Sequence, residues 1–253
     1  MPTSDMKTEK KFKLFFFFIM ISSLILLMGC EKKEDNLVTD IDGNKYHTVT
    51  IGTQVWMVEN LKTTRYSNGD TIMEVMDNRQ WEKLTSAACS YYNDYAYVIY
   101  QKHDVYQTIA TYGRLYNWYA VNNSRKIAPE GWHIATTDDW NTLIEYAGGK
   151  DVAAGKLKEA GTKHWTTQDN DATNVFGFTA LPGGSCSMYG SFDDISTHGY
   201  WWAVSASDIN LVFAYSIYCF MDGWEWNRSL KSGILGSSVH SKVSGLSVRC
   251  VKD

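Results

Sequence analysis

Leu14 to Met28 contains no charged residue, and Lys7, Lys10, Lys11 and Lys13 stand in front of it. This run limits what the rest of the chain can be. At 15 residues it falls short of the roughly 20 that a bilayer-spanning helix needs. A basic start, an apolar run and a small-residue end form the pattern of a secretory signal peptide, which is removed after export. The folding chain is therefore expected to begin beyond Leu27-Met28-Gly29-Cys30. Export also places it where disulfides are permitted.

Leu27, Gly29 and Cys30 resemble the lipobox of bacterial lipoproteins, while Met28 is bulkier than the residue usual there. The resemblance implies that 1–29 is a signal peptide and that Cys30 is lipidated and becomes the first mature residue. Two acyl chains hold a protein on a membrane stably where one does not. Glu31-Lys32-Lys33-Glu34-Asp35-Asn36 has no apolar residue, so 30–37 is expected to be the lipidated Cys and a flexible tether. Lys33-Glu34-Asp35 resembles the export signal of surface lipoproteins in the Bacteroidetes group, which implies an outer-membrane protein displayed at the cell surface. Without residues 1–30, which hold four Lys and two acids, 20 basic and 26 acidic residues remain, a balance of −6. Such a surface is not drawn to anionic lipid, so the lipid has to do the anchoring. Nor does it carry the basic footprint of a nucleic-acid-binding protein.

The mature part is built to fold. Hydrophobic residues make up 44% and charged residues 21%, which excludes wholesale disorder. Asp42-Gly43 is a hairpin-turn dipeptide. Val49 and Ile51, then Val55 and Met57, predict strands on either side of a second turn at Gly52-Thr53. The best helix starts at Thr136 or Thr137, with Asp138 and Asp139 at the positive end of its dipole. Trp140, Leu143, Ile144 and Ala147 form one apolar stripe, and Gly148-Gly149 stops the helix. A second helix is expected over Val152 to Ala160. The Tyr-rich stretch 91–112 carries no clear period. Val212 to Phe220 and Leu246 to Val251 read as strands, with an Asp222-Gly223 turn between them. No period of 20–50 residues marks a solenoid or propeller. The sum is one α+β domain over 38–253, with short antiparallel strands and one or two short helices.

Seven phrases in order then resemble a known family. They are Asp42-Gly43-Asn44-Lys45-Tyr46, Gln54-Val55-Trp56-Met57 with Glu59-Asn60-Leu61, Tyr112-Gly113-Arg114-Leu115-Tyr116-Asn117-Trp118, Pro129-Glu130-Gly131-Trp132-His133, Gly177-Phe178-Thr179-Ala180-Leu181-Pro182-Gly183-Gly184, Tyr200-Trp201-Trp202 and Ser247-Val248-Arg249-Cys250-Val251. Together they look like the Fibrobacter succinogenes major paralogous domain, a module of secreted and surface proteins. The layout also resembles the C-type lectin-like fold shared with formylglycine-generating enzymes. There a Trp-His-x-x-Thr helix start comes mid-domain and an Arg-Cys strand comes last. The resemblance implies a fold and a surface setting but no established reaction. Members often carry a Cys just before the Pro of Pro-x-Gly-Trp-His. Here Ala128 stands in that place, which implies that Cys250 lacks its usual partner and that at most one disulfide forms.

Sequence motifs for chemistry are missing. Cys89, Cys186, Cys219 and Cys250 allow three full pairings, but no Cys-x-x-Cys offers a zinc ribbon or a redox pair. The six His are scattered, without His-Glu-x-x-His, so no metal site and no catalytic residue is expected. His133 is expected to be structural, at the helix entry. Asp169-Asn170-Asp171 has oxygen ligands suited to calcium but no complete ligand loop follows. A structural calcium ion is thus unsupported, and no cofactor is expected. Gly183-Gly184-Ser185-Cys186-Ser187 misses the nucleophile elbow, since no Gly falls two residues after Ser185.

Aromatic residues remain as the candidate ligand contacts. Trp224 and Trp226 follow a turn and share one side of an extended strand, with Asn227 at the rim. Trp201 and Trp202 are adjacent and are expected to split, one inward and one outward, with Trp201 a candidate contact. The expected protein is a lipid-anchored surface binding or adhesion module for a glycan or protein ligand, without nucleic acid. The alternatives are a structural part of a surface assembly and an enzyme with a formylglycine-generator-like pocket.

Overall fold

Turns and caps divide the chain into short elements. The computed structural model describes residues 37–93, 104–166, 171–204, 212–218 and 234–253. β1 (Leu37–Thr39) and β2 (Lys45–Ile51) pair as a hairpin, and β3 (Gln54–Met57) folds back on β2. The hairpin turn places Gly43 at φ +84°, a conformation glycine adopts without a Cβ clash. Next come β4 (Met73–Glu74), α1 (Asn78–Glu82), β5 (Ala88–Ser90), α2 (Val105–Tyr112), β6 (Leu115–Tyr116), α3 (Trp118–Val121) and β7 (Trp132–Ile134). The second half holds α4 (Thr137–Tyr146), α5 (Lys150–Leu157), β8 (Gly183–Cys186), β9 (Phe192–Ile195), β10 (His198–Ala203), β11 (Val212–Tyr218), β12 (Ile234–His240) and β13 (Cys250–Lys252).

These strands form three sheets, ordered β1-β2-β3-β13-β7, β12-β11-β10-β8-β9 and β4-β5-β6. The chain's last strand enters the first sheet between β3 and β7, with Val251 opposite both Trp56 and His133. Residues far apart in sequence are thereby tied together, and Asn36–Asp253 makes one compact unit. Short strands in mixed and antiparallel sheets with few short helices make this an α+β domain, as expected.

The helix at α4 forms as the sequence predicts. Thr136 is its N-cap, and its hydroxyl accepts from the Asp139 N–H at 3.1 Å while Asp139 accepts from the Thr136 N–H at 2.8 Å. This reciprocal capping box satisfies two otherwise orphaned donors. Trp140, Leu143 and Ile144 are buried. Trp140 stacks on Tyr215 at 5.2 Å and packs against Trp56 and Trp201, at 5.2 and 5.8 Å. Packed aromatic pairs of this kind add about 0.5–1.5 kcal/mol each beyond the area they bury.

Three sequence readings need correction. α5 begins earlier than expected and stops at Leu157, because Lys158 turns extended and bridges to Ala180. Bridging to a residue distant in sequence overrides local helix propensity there. Leu246 to Val251 is not one strand: Leu246 and Ser247 make isolated bridges to Tyr116 and Trp201, and only Cys250–Lys252 is regular. Trp201 and Trp202 do not split. Both are fully buried, since β10 lies inside its sheet with one buried cluster on each face. One cluster holds Trp201 with α4 and α5, and the other holds Trp202 with Met57, Tyr116 and Cys250.

The cysteines behave as small apolar residues. Cys89, Cys186 and Cys250 are free and buried, and burial pushes the Cys89 and Cys186 thiols up to about 12. Thiols so far from ionising are poor nucleophiles. Ala128 sits in the same buried cluster as Cys250, consistent with a missing partner there. Cys219 lies outside the described residues.

Candidate functional site

One buried amide joins four segments of the domain. Asn60 Nδ2 donates to the Tyr112 carbonyl at 2.9 Å and to Ser247 Oγ at 3.3 Å. Its Oδ1 accepts from Trp201 Nε1 at 2.8 Å and from Arg249 Nε at 3.1 Å. Arg249 is itself buried. It donates on to the carbonyls of Met57 at 3.1 Å and Phe178 at 2.8 Å, and its guanidinium lies 4.4 Å from the Phe178 ring centroid. Burial disfavours its charge and draws its pKa down to about 9. Hydrogen bonds and ring faces stand in for a carboxylate, satisfying a cation that would be costly to bury bare. Five of the phrases noted in the sequence, those around Met57 and Asn60, Tyr112, Phe178, Trp201 and Arg249, meet here. This hub is structural.

The hub also positions α2. Asp104 caps the helix by accepting from the Gln107 N–H at 2.8 Å. Thr108 and Tyr112 face inward. The helix ends at Gly113, φ +77°, where an added Cβ would lie 2.8 Å from the Asn60 Cβ and 2.9 Å from the Leu61 oxygen. Only glycine permits that approach. Arg114 N then bonds the Leu61 carbonyl at 3.0 Å, which fixes α2 against residues 60–62.

Two open clefts flank α2 and share Ala110. The larger, about 590 Å³, is lined by Gln107, Thr111 and Tyr112 of α2 and by His164, Trp165 and Ser196 across from it. His164 Nδ1 lies 2.9 Å from both Glu159 carboxylate oxygens, which makes Nδ1 the donor. Its ring meets Tyr112 edge-on at 5.7 Å. Beside it Trp165 is buried, with Lys158 Nζ 4.4 Å from its ring centroid.

The second cleft, about 500 Å³, lies between α2 and the β1–β2 turn, and Asp42, Asn44, Lys62, Thr64, Tyr106 and Arg114 line it. Asp42 accepts from the Thr64 N–H at 2.5 Å, from its hydroxyl at 2.9 Å and from the Thr63 hydroxyl at 3.1 Å. Burial would raise the Asp42 pKa, but these bonds and the nearby Arg65 outweigh it and hold the carboxyl below its usual range. Arg114 donates from Nε to the Lys62 carbonyl at 3.1 Å and pairs with Glu74. Burial opposes the Arg114 charge, while Cys89 and Glu74 more than compensate and raise its pKa. Lys62 Nζ stands 4.9 Å from the Tyr46 ring centroid. Tyr106 is 83% exposed.

The sequence-predicted contacts fare differently. Trp201 is a core residue bonded to Asn60, which removes it from any ligand surface. Trp224, Trp226, Asn227 and Cys30, the expected lipidation site, lie outside the described residues, as do Asp169 and Asn170. Among the described residues no group of three or more His, Cys, Asp or Glu could hold a metal ion. Gly183–Cys186 is a strand rather than an elbow. His133 stands at the entry to α4: Nε2 lies 3.0 Å from Asp139 and Nδ1 2.7 Å from Asp253, joining the α4 cap to Asp253. Sequence reasoning missed the α2 clefts because Tyr106 sits in a stretch without period. The one available signal was Lys62 directly after the Glu59-Asn60-Leu61 phrase.

The fold and clefts define a sheet-rich α+β domain with open, polar surface sites. The chain belongs to the Fibrobacter succinogenes major domain family, whose model matches residues 49–252. No curated protein and no solved structure matches the chain.

Proposed function

We propose that this is a lipid-anchored outer-membrane protein, displayed at the cell surface and acting as a binding or adhesion module for a glycan or protein ligand. The pair of open clefts along α2 carries this reading, because they present polar groups and an exposed tyrosine on a rigidly held helix. Binding sites combine a few placed polar groups with aromatic faces in this way. The architecture is read as C-type lectin-like. In support, Trp132-His133 lies in a strand that runs into the capped helix α4, and β13, which starts at Cys250 directly after Arg249, comes last and pairs with that strand. An enzymatic reading has the Glu159–His164 pair in its favour. Among the described residues no cysteine lines the cleft beside that pair, whereas formylglycine-generating enzymes work through paired cysteines, so binding is preferred.

Trp224, Trp226 and Asn227 remain proposed ligand contacts. A glycan and polypeptide array probed with the full-length protein in detergent tests the reading. Specific retention is expected, and the double variant Trp224→Ala with Trp226→Ala is expected to lose it while keeping its thermal midpoint. A midpoint lowered by several kcal/mol of stability would instead make those rings core residues. For the anchor, Cys30→Ser is expected to release the protein from the membrane fraction or stall its processing. Unchanged retention with normal cleavage would refute lipidation at Cys30.

A further inference from the structure

We infer that the cleft between the β1–β2 turn and α2 takes an acidic saccharide, with a carboxylate on Lys62 and a sugar ring against Tyr106. The inference rests on the binding-module reading and names its ligand class. Charge accounting leads to it. Asp42 is engaged by Thr63, Thr64 and Arg65, and Arg114 is neutralised by Glu74. Lys62 is left, a half-buried residue whose ammonium stands over the Tyr46 ring and forms no ion pair among the described residues. A cation with no ion-pair partner at a cleft wall keeps its attraction for an incoming anion.

The same accounting selects the anion. Among the groups that line the cleft, one cation without an ion-pair partner matches one carboxylate, and the Asp40 carboxylate behind it is taken up by the Tyr46 hydroxyl, the Asn44 amide and the Asp42 N–H. A dianionic phosphate would bring a second negative charge close to Asp42 and Glu74, at a Coulombic cost. The surroundings then favour a sugar. Asn44 Nδ2 is committed to Asp40 at 2.8 Å, which leaves its Oδ1 to accept from a hydroxyl. Tyr106 exposes a flat ring on the same cleft, suited to stacking against the apolar face of a pyranose. Asp42 and Asn44 come from the β1–β2 turn, Lys62 follows β3, and Tyr106 and Arg114 lie in and after α2. The tertiary fold alone assembles this set.

Polygalacturonate, its carboxyl-reduced neutral counterpart and polyglutamate are the probes, each immobilised and exposed to full-length protein in detergent. Retention on polygalacturonate, weakened by added salt and absent on the neutral polymer, is expected. Lys62→Gln should weaken it about tenfold or more, as loss of a charged hydrogen bond does, and Lys62→Arg should keep most of it. Tyr106→Ala, at an exposed position where folding is not at risk, should weaken it about threefold to tenfold. Equal retention on the neutral polymer, or an unchanged Lys62→Gln, would overturn the carboxylate assignment and leave the binding-module reading standing. Polyglutamate held as tightly as polygalacturonate would overturn the sugar assignment. Failure on all three probes would overturn this inference, while failure of every ligand on the wider array would remove the binding-module reading as well.

Discussion

Asn60 and Lys62 are two residues apart and lie in opposite physical regimes. Asn60 is buried and makes four hydrogen bonds, to Tyr112, Ser247, Trp201 and Arg249. Lys62 is half-buried, rests on the Tyr46 ring and has no ion-pair partner among the described residues. The Arg249 cation at the hub is fully enclosed by carbonyls and rings, whereas the Lys62 cation faces an open cleft. Polar groups whose bonding capacity is used up inside the chain hold the fold. A polar group left with spare capacity at the surface is where a ligand can add something.

Asn60→Ala is the strongest way to break that contrast. It would leave the Trp201 and Arg249 donors and the Tyr112 carbonyl short of a buried partner, at about 1–3 kcal/mol for each unsatisfied group. A total loss of about 3–5 kcal/mol is expected in urea unfolding at constant m-value. A loss under 1 kcal/mol would show that water or a rearranged side chain replaces the amide.

A smaller effect is expected at the α4 entry, where a polar cluster is half open to solvent. Burial opposes the charged form of His133, but the Asp253 and Asp139 carboxylates outweigh it and its pKa rises above 6.5. Burial likewise opposes the Asp139 charge, yet Thr136 and His133 bring its pKa below 3.8. A raised histidine contributes stability that is fully present below its unfolded pKa and is lost as pH rises through the folded value. A lowered aspartate contributes stability above its unfolded pKa that is lost as pH falls through the folded one. The cluster is therefore most stabilising between those limits. His133→Asn should cost about 0.5–1 kcal/mol at pH 5–6, allowing for solvent screening, and less at pH 8.5. Equal costs at the two pH values would contradict the ion-pair account.

The smallest expected effect falls on the cleft itself. Lys62→Gln should change stability by no more than about 0.5 kcal/mol, as surface substitutions usually do. Set beside Asn60→Ala, this separates a residue that holds the fold from one that serves a ligand. A loss above 2 kcal/mol would move Lys62 into the structural class.

Much of this was legible beforehand, for identifiable reasons. The α4 cap and stripe depend on contacts three or four residues apart, so Thr136, Asp139, Trp140 and Leu143 announced them. The Asp42-Gly43 turn depends on its own dihedral angles. The buried pair Trp201 and Trp202 departs from the sequence expectation because alternation implies one solvated face, whereas β10 carries a buried cluster on each face. The end of α5 differs from the sequence expectation because Ala180, distant in sequence, bridges to Lys158.

By itself the sequence determined the local elements, the α+β class and the family membership that the match over 49–252 shows. These rest on short-range capping, turn geometry and ordered phrases, all readable along one dimension. Only the tertiary structure decided which polar residues are consumed and which are left over. Asn60 is saturated because β10, β13 and the end of α2 converge on it. Lys62 is left open because Asp42 and Glu74 are drawn to other partners. Hydrogen-bond and charge satisfaction are properties of neighbours in space, and those neighbours come from positions as far apart as Asn60 and Arg249.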